Sequence, residues 1–474
     1  MTPVHKLGTA PSPALVRKYD GNGPRYTSYP TALQFDPAFG PGEHRKAAQR
    51  SSVTTTDAAL SLYLHIPFCD APCFYCGCTK IVTRQHGEGD EYVNLLGLEL
   101  GLQAGLFPAR RTVEQLHFGG GTPTWLSMDQ LGRLFKHLHQ HFRLSREEQR
   151  EFSIEIDPRT VTPDSIEQLA RLGFNRASFG IQDFDPAVQK AVNRRQSVAQ
   201  VALLIEAARR HGFRSLSVDL IYGLPKQTPT SVRETLDQVI RLRPDRISAY
   251  SYAHVPQRFK AQNRIRLEDL PNAAQKLELF QLTIERMLAA GYLYIGMDHF
   301  ALPSDELACA LSDGTLQRNF QGYSTRGGLD LLGIGMSSIS RLGDSYSQNA
   351  RTMKDYRAAL VSGRLPIDRG LFLSTEDCLR RDVIAALMCQ GHVDISALED
   401  RYGIDFHHHF ELELEQLEHH SEDGLVRLHE KCIEVTETGR CLLRALAMPF
   451  DASLRESAAR STKSAYTSRY ARLV

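Results

Sequence analysis

The sequence predicts an α/β protein whose parallel sheet closes toward an incomplete (β/α)6 barrel. Between residues 60 and 252, six short runs of β-branched or aromatic residues alternate with amphipathic stretches, and strands that alternate with helices form parallel sheets. Right-handed crossovers wind such a sheet into either an open doubly wound form or a barrel. Cysteines and polar residues follow the predicted strands, at the edge where barrels carry their active sites, and this placement favours the barrel.

The predicted elements follow one another at regular intervals. The strands span residues 60–68, 113–119, 151–157, 176–182, 215–222 and 246–252, and the helices between them span residues 92–106, 128–141, 163–172, 198–211 and 230–242. Each strand run is short, while each helical run repeats its apolar residues with the period of an α-helix. A helix at 273–289 and a strand at 292–297 follow the sixth unit.

The ends of the chain differ from this repeating part. Residues 1–55 are rich in Pro, Gly, Thr and Tyr and show little periodicity, which indicates an extended N-terminal arm. Residues 56–365 then hold the barrel. Residues 366–370 contain Pro and Gly and indicate a linker. This linker begins the predicted C-terminal domain, residues 366–474, which we expect to be mainly helical.

Within the C-terminal domain, a helix at 375–388 and a hairpin made from 424–428 and 433–436 suggest a winged-helix-like cap. The tail after Glu456 carries four basic residues and suggests a loosely docked end.

Composition limits the possible partners. The chain has 474 residues, of which 42% are hydrophobic and 23% charged, as in ordinary folded proteins. Its net charge of +1 provides no long-range field for nucleic acid or an anionic membrane. No apolar stretch reaches membrane-spanning length, and the N-terminus lacks the apolar core of a signal peptide. We therefore expect a cytoplasmic enzyme, monomeric because no coiled-coil segment is present, with neither nucleic acid nor membrane as partner.

Three cysteines, Cys69, Cys73 and Cys76, lie close together after the first predicted strand. A structural zinc ion takes four closed ligands, usually from cysteine pairs separated by a longer loop. No second pair is present, although Cys78 and His65 lie near enough to keep zinc as an alternative. Disulfides are disfavoured in a chain this long without a secretory signal. Three thiolates leave one iron of a four-iron cluster open to a non-protein ligand, so we predict an iron–sulfur cluster with one open iron.

Other polar or glycine-rich positions follow the later strands. Residues 119–124 read Gly-Gly-Gly-Thr-Pro-Thr, which lets the backbone approach a ligand or simply forms a tight turn. Glu155, Gln182 and Asp219 close strands three, four and five, and Arg194 follows strand four. Carboxylates and amides bind ribose hydroxyls, and a guanidinium binds a carboxylate. Each residue alone is better explained by an ordinary ion pair or a hydrogen bond at the barrel rim.

The spacing Cys-x3-Cys-x2-Cys after a strand resembles that of the radical S-adenosylmethionine (radical SAM) superfamily. In that superfamily, the methionyl amine and carboxylate of S-adenosylmethionine chelate the fourth iron of a 4Fe–4S cluster. One electron from the cluster then breaks the sulfonium and gives a 5'-deoxyadenosyl radical. The resemblance implies one such cluster, held by Cys69, Cys73 and Cys76.

The resemblance also assigns S-adenosylmethionine contacts. The glycine-rich run matches the motif that binds the methionyl amino group. The residues at the strand ends match the remaining cofactor contacts. Two tyrosines either contact the cofactor or pack against neighbouring side chains. Tyr75 is placed to stack on adenine, and the hydroxyl of Tyr63 to reach the sulfonium. The implied cofactor contacts are Tyr63, Tyr75, Gly120, Gly121, Thr122, Glu155, Gln182, Arg194 and Asp219.

Longer strings resemble a narrower family, the oxygen-independent coproporphyrinogen III oxidases, also called coproporphyrinogen dehydrogenases. They lie at residues 23–30, 76–78 with 80–84, 180–184, 219–225, 296–300 and 319–323. The resemblance implies oxidative decarboxylation of two propionates of coproporphyrinogen III to vinyl groups, giving protoporphyrinogen IX in haem biosynthesis. It further implies a reduced electron donor such as flavodoxin, a terminal electron acceptor and two molecules of S-adenosylmethionine.

In that family the second S-adenosylmethionine binds beside the first, and Gly120, Ala253 and Ile339 match positions that touch the two cofactors. Cys78 is matched in the family but is not one of the three cluster thiolates, so it is a possible accessory residue.

A tetrapyrrole with four carboxylates needs a wide apolar slot rimmed by cations. As a hypothesis, Arg25, Lys80 and Arg84 bind its propionates.

Three alternatives remain open. The first is a related haem chaperone, which binds haem without turnover and typically lacks the Gly77-Cys78 pair and the arm segment at 25–30, both present here. The second is a radical enzyme acting on RNA, disfavoured by the near-neutral charge and the lack of a recognisable RNA-binding module. The third is a barrel stabilised by zinc.

Overall fold

A computed structural model of the chain describes residues 10–54, 59–107 and 111–455. The basic tail predicted after Glu456 lies outside these residues. No helix in the described ranges combines the length and apolar character that crossing a bilayer requires.

Six parallel strands form the centre of the fold and lie side by side in chain order. Such a continuous order is that of a barrel, since a doubly wound sheet reverses its strand order at a switch point. The prediction of a barrel is therefore confirmed. The strands are β1 (Leu60–Ile66), β2 (Thr112–Gly120), β3 (Glu151–Ile156), β4 (Arg176–Gln182), β5 (Ser215–Tyr222) and β6 (Arg246–Ser251).

Further strands extend the sheet at both sides without closing it. The sheet order is β7-β8-β6-β5-β4-β3-β2-β1-β9-β10-β11-β12, with β9 parallel to β1 and β8 antiparallel to β6. Because β7 and β12 are edge strands, the barrel is incomplete, as predicted. These strands are β7 (Leu293–Gly296), β8 (His299–Ala301), β9 (Asp330–Ile334), β10 (Ile339–Arg341), β11 (Ser345–Asn349) and β12 (Ile367–Phe372). Short strands outside this order are Phe68–Cys69, Ile81–Val82, Arg143–Leu144, Gln317–Asn319 and Gly322–Ser324.

Helices connect the barrel strands and cover the outer face of the sheet. Ser127, Thr162 and Thr228 each cap one of these helices by accepting a hydrogen bond from a backbone N–H three residues on, which satisfies a donor that the first turn leaves free. The barrel helices are Glu88–Ala104, Met128–His141, Pro163–Leu172, Pro186–Ala191, Val198–Arg210 and Pro229–Leu242, followed by Ala273–Ala289, Glu306–Ser312 and Met353–Val361.

Alternation along the strands separates the apolar core from the inside of the barrel. In β5, Leu216, Val218 and Leu220 are buried, whereas Ser217 and Asp219 line an interior cavity of about 170 Å³. Successive side chains of a strand point to opposite faces, so the core lies between sheet and helices. The barrel interior is left polar and able to bind a ligand.

The N-terminal arm differs in part from the prediction. It contains two helices, Pro13–Tyr19 and Pro41–Thr54, joined by residues 20–40, which have a single 3-10 turn at Ala32–Gln34. The second helix was missed because Pro, Gly and Tyr dominate the middle of the arm. Residues 41–54 themselves contain Glu, Arg, Lys, Gln and Ala, which are good helix formers, with Pro at the first position.

The extended part of the arm docks on the barrel and the C-terminal region. Arg25 forms an ion pair with Asp298, in the turn between β7 and β8. The carbonyl before Arg25 accepts a hydrogen bond from Nε of Arg444 at 3.0 Å. The hydroxyl of Tyr26 donates to Asp451 at 3.1 Å. The arm is therefore held against the open side of the barrel.

The predicted linker at residues 366–370 is wrong. Ile367–Phe372 forms β12 and pairs in antiparallel register with β11. A Cβ atom at Gly370 would collide with the carbonyl oxygen of Tyr346 and with Phe39, so this glycine marks a close approach between strands and not a loop. The domain boundaries predicted after residues 55 and 365 stay predictions.

The C-terminal region contains the predicted helix and hairpin. The helix spans Thr375–Cys389, and the hairpin consists of β14 (Val426–Leu428) and β15 (Cys432–Val435). A third strand that the sequence analysis missed, β13 (His392–Asp394), pairs with β15. The remaining helices are Ile395–Tyr402, Phe406–His409, Glu411–Glu422 and Leu443–Ala447.

A buried carboxylate joins the first barrel helix to the strands beside β1. Glu99 is 0% exposed and accepts hydrogen bonds from Gly335 N at 2.7 Å, Asn349 Nδ2 at 2.6 Å and Tyr356 OH at 2.5 Å. Burial raises the pKa of Glu99 to about 7, although these donors favour the ionised form. Stability therefore depends on the charge of this one residue.

We expect the free energy of unfolding of the wild type, compared with that of Glu99→Gln, to fall as the pH rises from 4.5 to 8. The pKa of Glu99 is raised from 4.5 to about 7 in the folded protein, so the native state binds the proton more tightly than the unfolded state. Its contribution is therefore greatest in acid and is lost as the pH passes through 7, by about 3 kcal/mol in total.

Anaerobic urea unfolding of both proteins across this pH range measures the difference. Glu91→Gln, at an exposed position of the same helix, controls for the loss of a charge. If the free energies of unfolding of the wild type and Glu99→Gln differ by the same amount at every pH, the expectation is contradicted.

Candidate functional site

The cluster loop, residues 69–81, begins just after β1. Phe68–Cys69 pairs in parallel with Ile81–Val82, which closes the loop at its base. Cys73 is buried, Cys69 and Cys76 are half-buried, Cys78 is exposed, and all four are free thiols. Within the described residues, the sulfurs of Cys69, Cys73 and Cys76 do not all lie within 4.8 Å of one another. The ligand atoms of a single zinc ion lie closer together than this, so the arrangement does not favour zinc.

Residues beyond the later strands hold the loop in place. Asn193 Nδ2 donates to the carbonyl oxygen of Pro72 at 2.8 Å, and Gln262 Nε2 donates to that of Tyr75 at 3.0 Å. The ammonium of Lys80 donates to the carbonyl oxygen of Cys76 at 3.1 Å. The chain segments after β4 and β6 therefore fix the shape of the loop.

Two guanidinium groups face the sulfur of Cys73. Arg159 Nη2 lies 3.5 Å from this sulfur and Arg194 Nη1 lies 3.6 Å from it. Asp157 accepts hydrogen bonds from both arginines, at 2.6 and 2.9 Å. Burial opposes the ionisation of Asp157, but the two arginines hold its pKa below the usual value. Two guanidinium groups at this distance can offset the negative charge of a ligand set that includes Cys73.

The glycine run after β2 packs against the base of the cluster loop. A Cβ atom at Gly121 would lie 2.7 Å from the carbonyl carbon and oxygen of Pro67. Gly120 has φ +118°, and its N–H donates to Glu155 Oε2 at 3.1 Å. The hydroxyl of Thr122 lies 3.4 Å from the sulfur of Cys69. The run therefore makes the close backbone approach predicted for a ligand-binding motif and is more than a simple turn.

Gly121→Ala is expected to lose the cluster, while Gly132→Ala keeps it. The added methyl at position 121 meets the backbone of Pro67, which cannot move without shifting Cys69. At Gly132, inside a helix, nothing lies within 4 Å of the added carbon, and alanine there stabilises by roughly 0.5–1 kcal/mol. Iron content after anaerobic reconstitution measures the effect. Equal iron in both variants would show that the contact is not needed.

The strand-end residues surround the mouth of the barrel. Glu155 Oε1 lies 3.2 Å from His117 Nε2, and Asp219 Oδ2 accepts from Ser178 Oγ at 3.0 Å. Burial, and then the charge of Glu155, raise the pKa of Asp219 to about 6. Gln182 has φ +67° where the β4–β5 register shifts, a bulge that redirects its side chain. Three of the predicted contacts thus meet at one end of the sheet.

Tyr63 and His65 line the same end through β1. The ring of Tyr63 stacks on that of His117 with centroids 5.7 Å apart, and its hydroxyl lies 3.1 Å from Nδ1 of His65. Burial lowers the pKa of His65, and its Nε2 donates to the carbonyl oxygen of Thr79 at 3.1 Å. Both ring nitrogens of His65 are therefore engaged, which argues against a zinc-ligand role.

The other predicted cofactor contacts flank the mouth. Tyr75 packs against an apolar group that includes Val192 and Tyr252. Ala253 follows β6, and its carbonyl accepts from Gln262 at 3.1 Å. Ile339 is the first residue of β10. Its backbone packs closely against Gly333, which pairs with Tyr63 of β1. Their roles toward a cofactor stay predictions.

Comparison with known proteins shows the family. Residues 63–239 match the Radical SAM superfamily model, and residues 373–442 match the HemN C-terminal domain model. The oxygen-independent coproporphyrinogen III oxidase of Pseudomonas aeruginosa is 49% identical over 437 residues, which cover 92% of this chain and 95% of that protein. This chain belongs to the oxygen-independent coproporphyrinogen III oxidase family.

Two further relatives support the assignment to the coproporphyrinogen oxidase family. The Escherichia coli K12 protein of the same name is 47% identical over 445 residues, 94% of this chain and 96% of that protein. The solved structure of E. coli coproporphyrinogen III oxidase (HemN), described as a radical SAM enzyme, matches with a TM-score of 0.89 and 46% identity, covering 94% and 99% of the two chains. The predicted fold is thereby confirmed.

Membership of the radical SAM superfamily implies a 4Fe–4S cluster and S-adenosylmethionine. The residues present fit both groups. The loop offers three free thiols, with two arginines at Cys73 to offset their charge. The glycine run brings backbone to the base of the loop, where a side chain would collide.

Arg159 is a site residue that was not predicted from the sequence. This arginine shares Asp157 with Arg194 and faces the same sulfur. A basic residue two positions after a strand end was the available signal, because cations favour thiolates. The signal is weak, since strand ends commonly carry arginine on the surface.

Cys78 lies beside the three cluster cysteines but interacts differently. Its backbone N–H donates to the sulfur of Cys76 at 3.4 Å. A hydrogen bond from its side chain is the main cause that lowers the pKa of Cys76 to about 5. Cys78 therefore contacts a predicted cluster ligand, and its accessory role stays a prediction.

The three cations predicted for the substrate occupy separate places in this family member. Arg25 pairs with Asp298, and its guanidinium lies 5.5 Å from the ring centroid of Tyr250, on β6. Lys80 binds the cluster loop, and Arg84 is exposed just after the short strand Ile81–Val82. Their contact with substrate stays a prediction.

Proposed function

We propose that this protein oxidatively decarboxylates two propionate side chains of coproporphyrinogen III to vinyl groups, giving protoporphyrinogen IX without oxygen. The observation that carries the proposal is the 49% identity to a coproporphyrinogen III oxidase over 92% of the chain. The similarity is not confined to the cofactor-binding barrel, because residues 373–442 match the HemN C-terminal domain as well. Each decarboxylation removes one hydrogen atom, one carbon dioxide and one electron from a propionate.

The chain's own residues bind and orient in this reaction. When bound, the cluster and S-adenosylmethionine supply the 5'-deoxyadenosyl radical that takes the propionate hydrogen. Cys69, Cys73 and Cys76 hold the cluster. Arg194, fixed by Asp157, is placed to receive a carboxylate beside Cys73.

The remaining strand-end residues are proposed to bind the adenosyl part of the cofactor. Glu155, Gln182 and Asp219 offer oxygens and an amide at the barrel mouth, where ribose hydroxyls need acceptors and donors. Tyr75 is proposed to contact adenine. A second S-adenosylmethionine is proposed beside the first, near Gly120, Ala253 and Ile339.

The substrate is proposed to enter at the open side of the barrel, between the arm and β6. Arg25 is held there between Asp298 and Tyr250, with 34% of its side chain exposed. Together with Lys80 and Arg84, it is proposed to bind propionates. Neutral replacements of the three residues that leave the KM for coproporphyrinogen unchanged would contradict this assignment.

Three further features are part of the proposal. The electron donor is a reduced protein such as flavodoxin, and a separate acceptor takes the remaining electron from each decarboxylation. The protein acts as a monomer in the cytoplasm.

The test is anaerobic reconstitution followed by incubation with reductant, S-adenosylmethionine, an electron acceptor and coproporphyrinogen III. We expect protoporphyrinogen IX with two molecules of 5'-deoxyadenosine per substrate. Stoichiometric haem binding with no turnover would instead indicate the haem chaperone. Turnover with one 5'-deoxyadenosine per product would contradict the proposed use of two molecules of S-adenosylmethionine.

A further inference from the structure

The three-stranded sheet of the C-terminal region carries polar residues on one face. His392 pairs directly with Glu434 across the β13–β15 ladder, and Asp394 pairs with Cys432. Residues two apart in a strand share a face. The intervening Ile433 is buried at 1% exposure, so the other face packs on the core. The ladder therefore brings a histidine, a cysteine and two carboxylates together.

Three of these residues converge more closely than the pairing requires. A ring nitrogen of His392, the sulfur of Cys432 and a carboxylate oxygen of Glu434 all lie within 4.8 Å of one another, and each residue is half-buried. Within the described ranges, no other three donors of these types come this close.

One ring nitrogen of His392 is also not satisfied by the protein. Its Nδ1 is buried and has no hydrogen-bond partner. Leaving a buried polar atom without a partner is unfavourable, so a partner from outside the protein chain would stabilise this site. A metal ion is such a partner for an imidazole next to a thiol and a carboxylate.

We propose that His392, Cys432 and Glu434 bind a divalent transition-metal ion, of which Zn²⁺ fits best. Imidazole, thiolate and carboxylate are the ligands that zinc takes in proteins, at about 2.0–2.3 Å. Ligand atoms around one such ion lie about 3.5 Å apart, so small side-chain movements from the present spacing complete the site. The thiolate disfavours Mg²⁺ and Ca²⁺, which prefer oxygen ligands.

The fourth position of the ion faces a large cavity. His392, Asp394 and Glu434 line a space of about 920 Å³ between the C-terminal region, the arm and the sheet. Asp394 uses Oδ1 to cap the helix Ile395–Tyr402 by accepting from Ala397 N at 2.9 Å. Its second oxygen, or a water from the cavity, completes the coordination. His429 Nε2 lies 3.7 Å from Glu434 Oε2 and supports that ligand from outside.

The proposed ion is separate from the cluster and does not depend on the proposed function. The cluster loop follows β1 in the barrel, whereas these ligands lie on β13 and β15. Bound metal would join two strands that are 40 residues apart in sequence and stabilise the C-terminal region, because it binds the folded state alone.

Metal analysis of the reconstituted holoenzyme, dialysed against Zn²⁺ and then desalted, tests the proposal. We expect one zinc beside four irons per chain. His392→Ala and Cys432→Ala should each reduce zinc at least tenfold and keep the irons. Cys309→Ala, at an exposed cysteine outside the site, should keep both metals. The conservative Glu434→Gln should weaken zinc binding without removing a packed side chain.

A wild-type protein without zinc, or variants that retain as much zinc as the wild type, would overturn the proposal. Substitution with Co²⁺ gives an independent readout. A thiolate-to-cobalt charge-transfer band should form in the wild type and in Cys309→Ala, and its persistence in Cys432→Ala would exclude Cys432 as a ligand.

Discussion

Cys69→Ser, Cys73→Ser and Cys76→Ser will each lose the iron–sulfur cluster, whereas Cys78→Ser will retain four irons and four sulfides. The first three residues are free cysteines of the same loop, in the Cys-x3-Cys-x2-Cys spacing typical of radical SAM enzymes. A serine hydroxyl is a harder and much weaker ligand for iron–sulfur clusters than a thiolate. Cys78 instead contacts the sulfur of Cys76 through its backbone N–H, and serine preserves this contact.

Iron and sulfide analysis of anaerobically reconstituted proteins measures this result. Cys78→Ser is the matched control, since it makes the same chemical change on the same loop. We expect less than one-tenth of the wild-type iron in each of the other three variants. Equal loss in all four variants would show that Cys78 is a ligand, and full iron in any of the first three would remove that residue from the ligand set.

Arg194→Ala will weaken S-adenosylmethionine binding by at least tenfold, which corresponds to about 1.4 kcal/mol. The guanidinium of Arg194 donates to Asp157 at 2.9 Å and to the carbonyl oxygen of Gly180 at 2.5 Å, so it is held in one orientation beside Cys73. A planar guanidinium can bind a methionyl carboxylate with two parallel hydrogen bonds. Arg194→Lys should recover the charge but not this geometry.

Titration of S-adenosylmethionine into the reconstituted protein, with iron content measured on the same samples, separates binding from cluster loss. Arg195→Ala provides the control, because Arg195 is the exposed neighbour of Arg194. An unchanged dissociation constant in an iron-replete Arg194→Ala protein would exclude Arg194 as a cofactor contact.

The barrel could be predicted because its signal is local and repeated. Each β/α unit carries its own alternation and caps, so the predicted helices 128–141 and 163–172 match Met128–His141 and Pro163–Leu172. The meeting of Gly120 with Glu155 was also predictable. Both residues end adjacent parallel strands, and the carboxyl ends of such strands share one edge.

Features that depend on long-range contacts could not be predicted in this way. The position of Arg159 on the sulfur of Cys73 depends on how two loops fold together. The close approach of Gly370 to β11 depends on strand pairing, whereas glycine near proline in a sequence is typical of a loop. The buried Glu99 looks like an ordinary helix glutamate in sequence, because its three donors come from residues more than 230 positions away.

The central claim is that three thiolates leave one iron of the cluster open to S-adenosylmethionine. Electron paramagnetic resonance of the anaerobically reduced protein tests it directly, by comparing spectra with and without S-adenosylmethionine. We predict that the cofactor changes the g-values of the reduced cluster, and that a nitrogen-15 label on its amino group produces a resolved coupling in the corresponding double-resonance spectrum. Identical spectra with and without the cofactor, in a protein holding four irons, would contradict the claim.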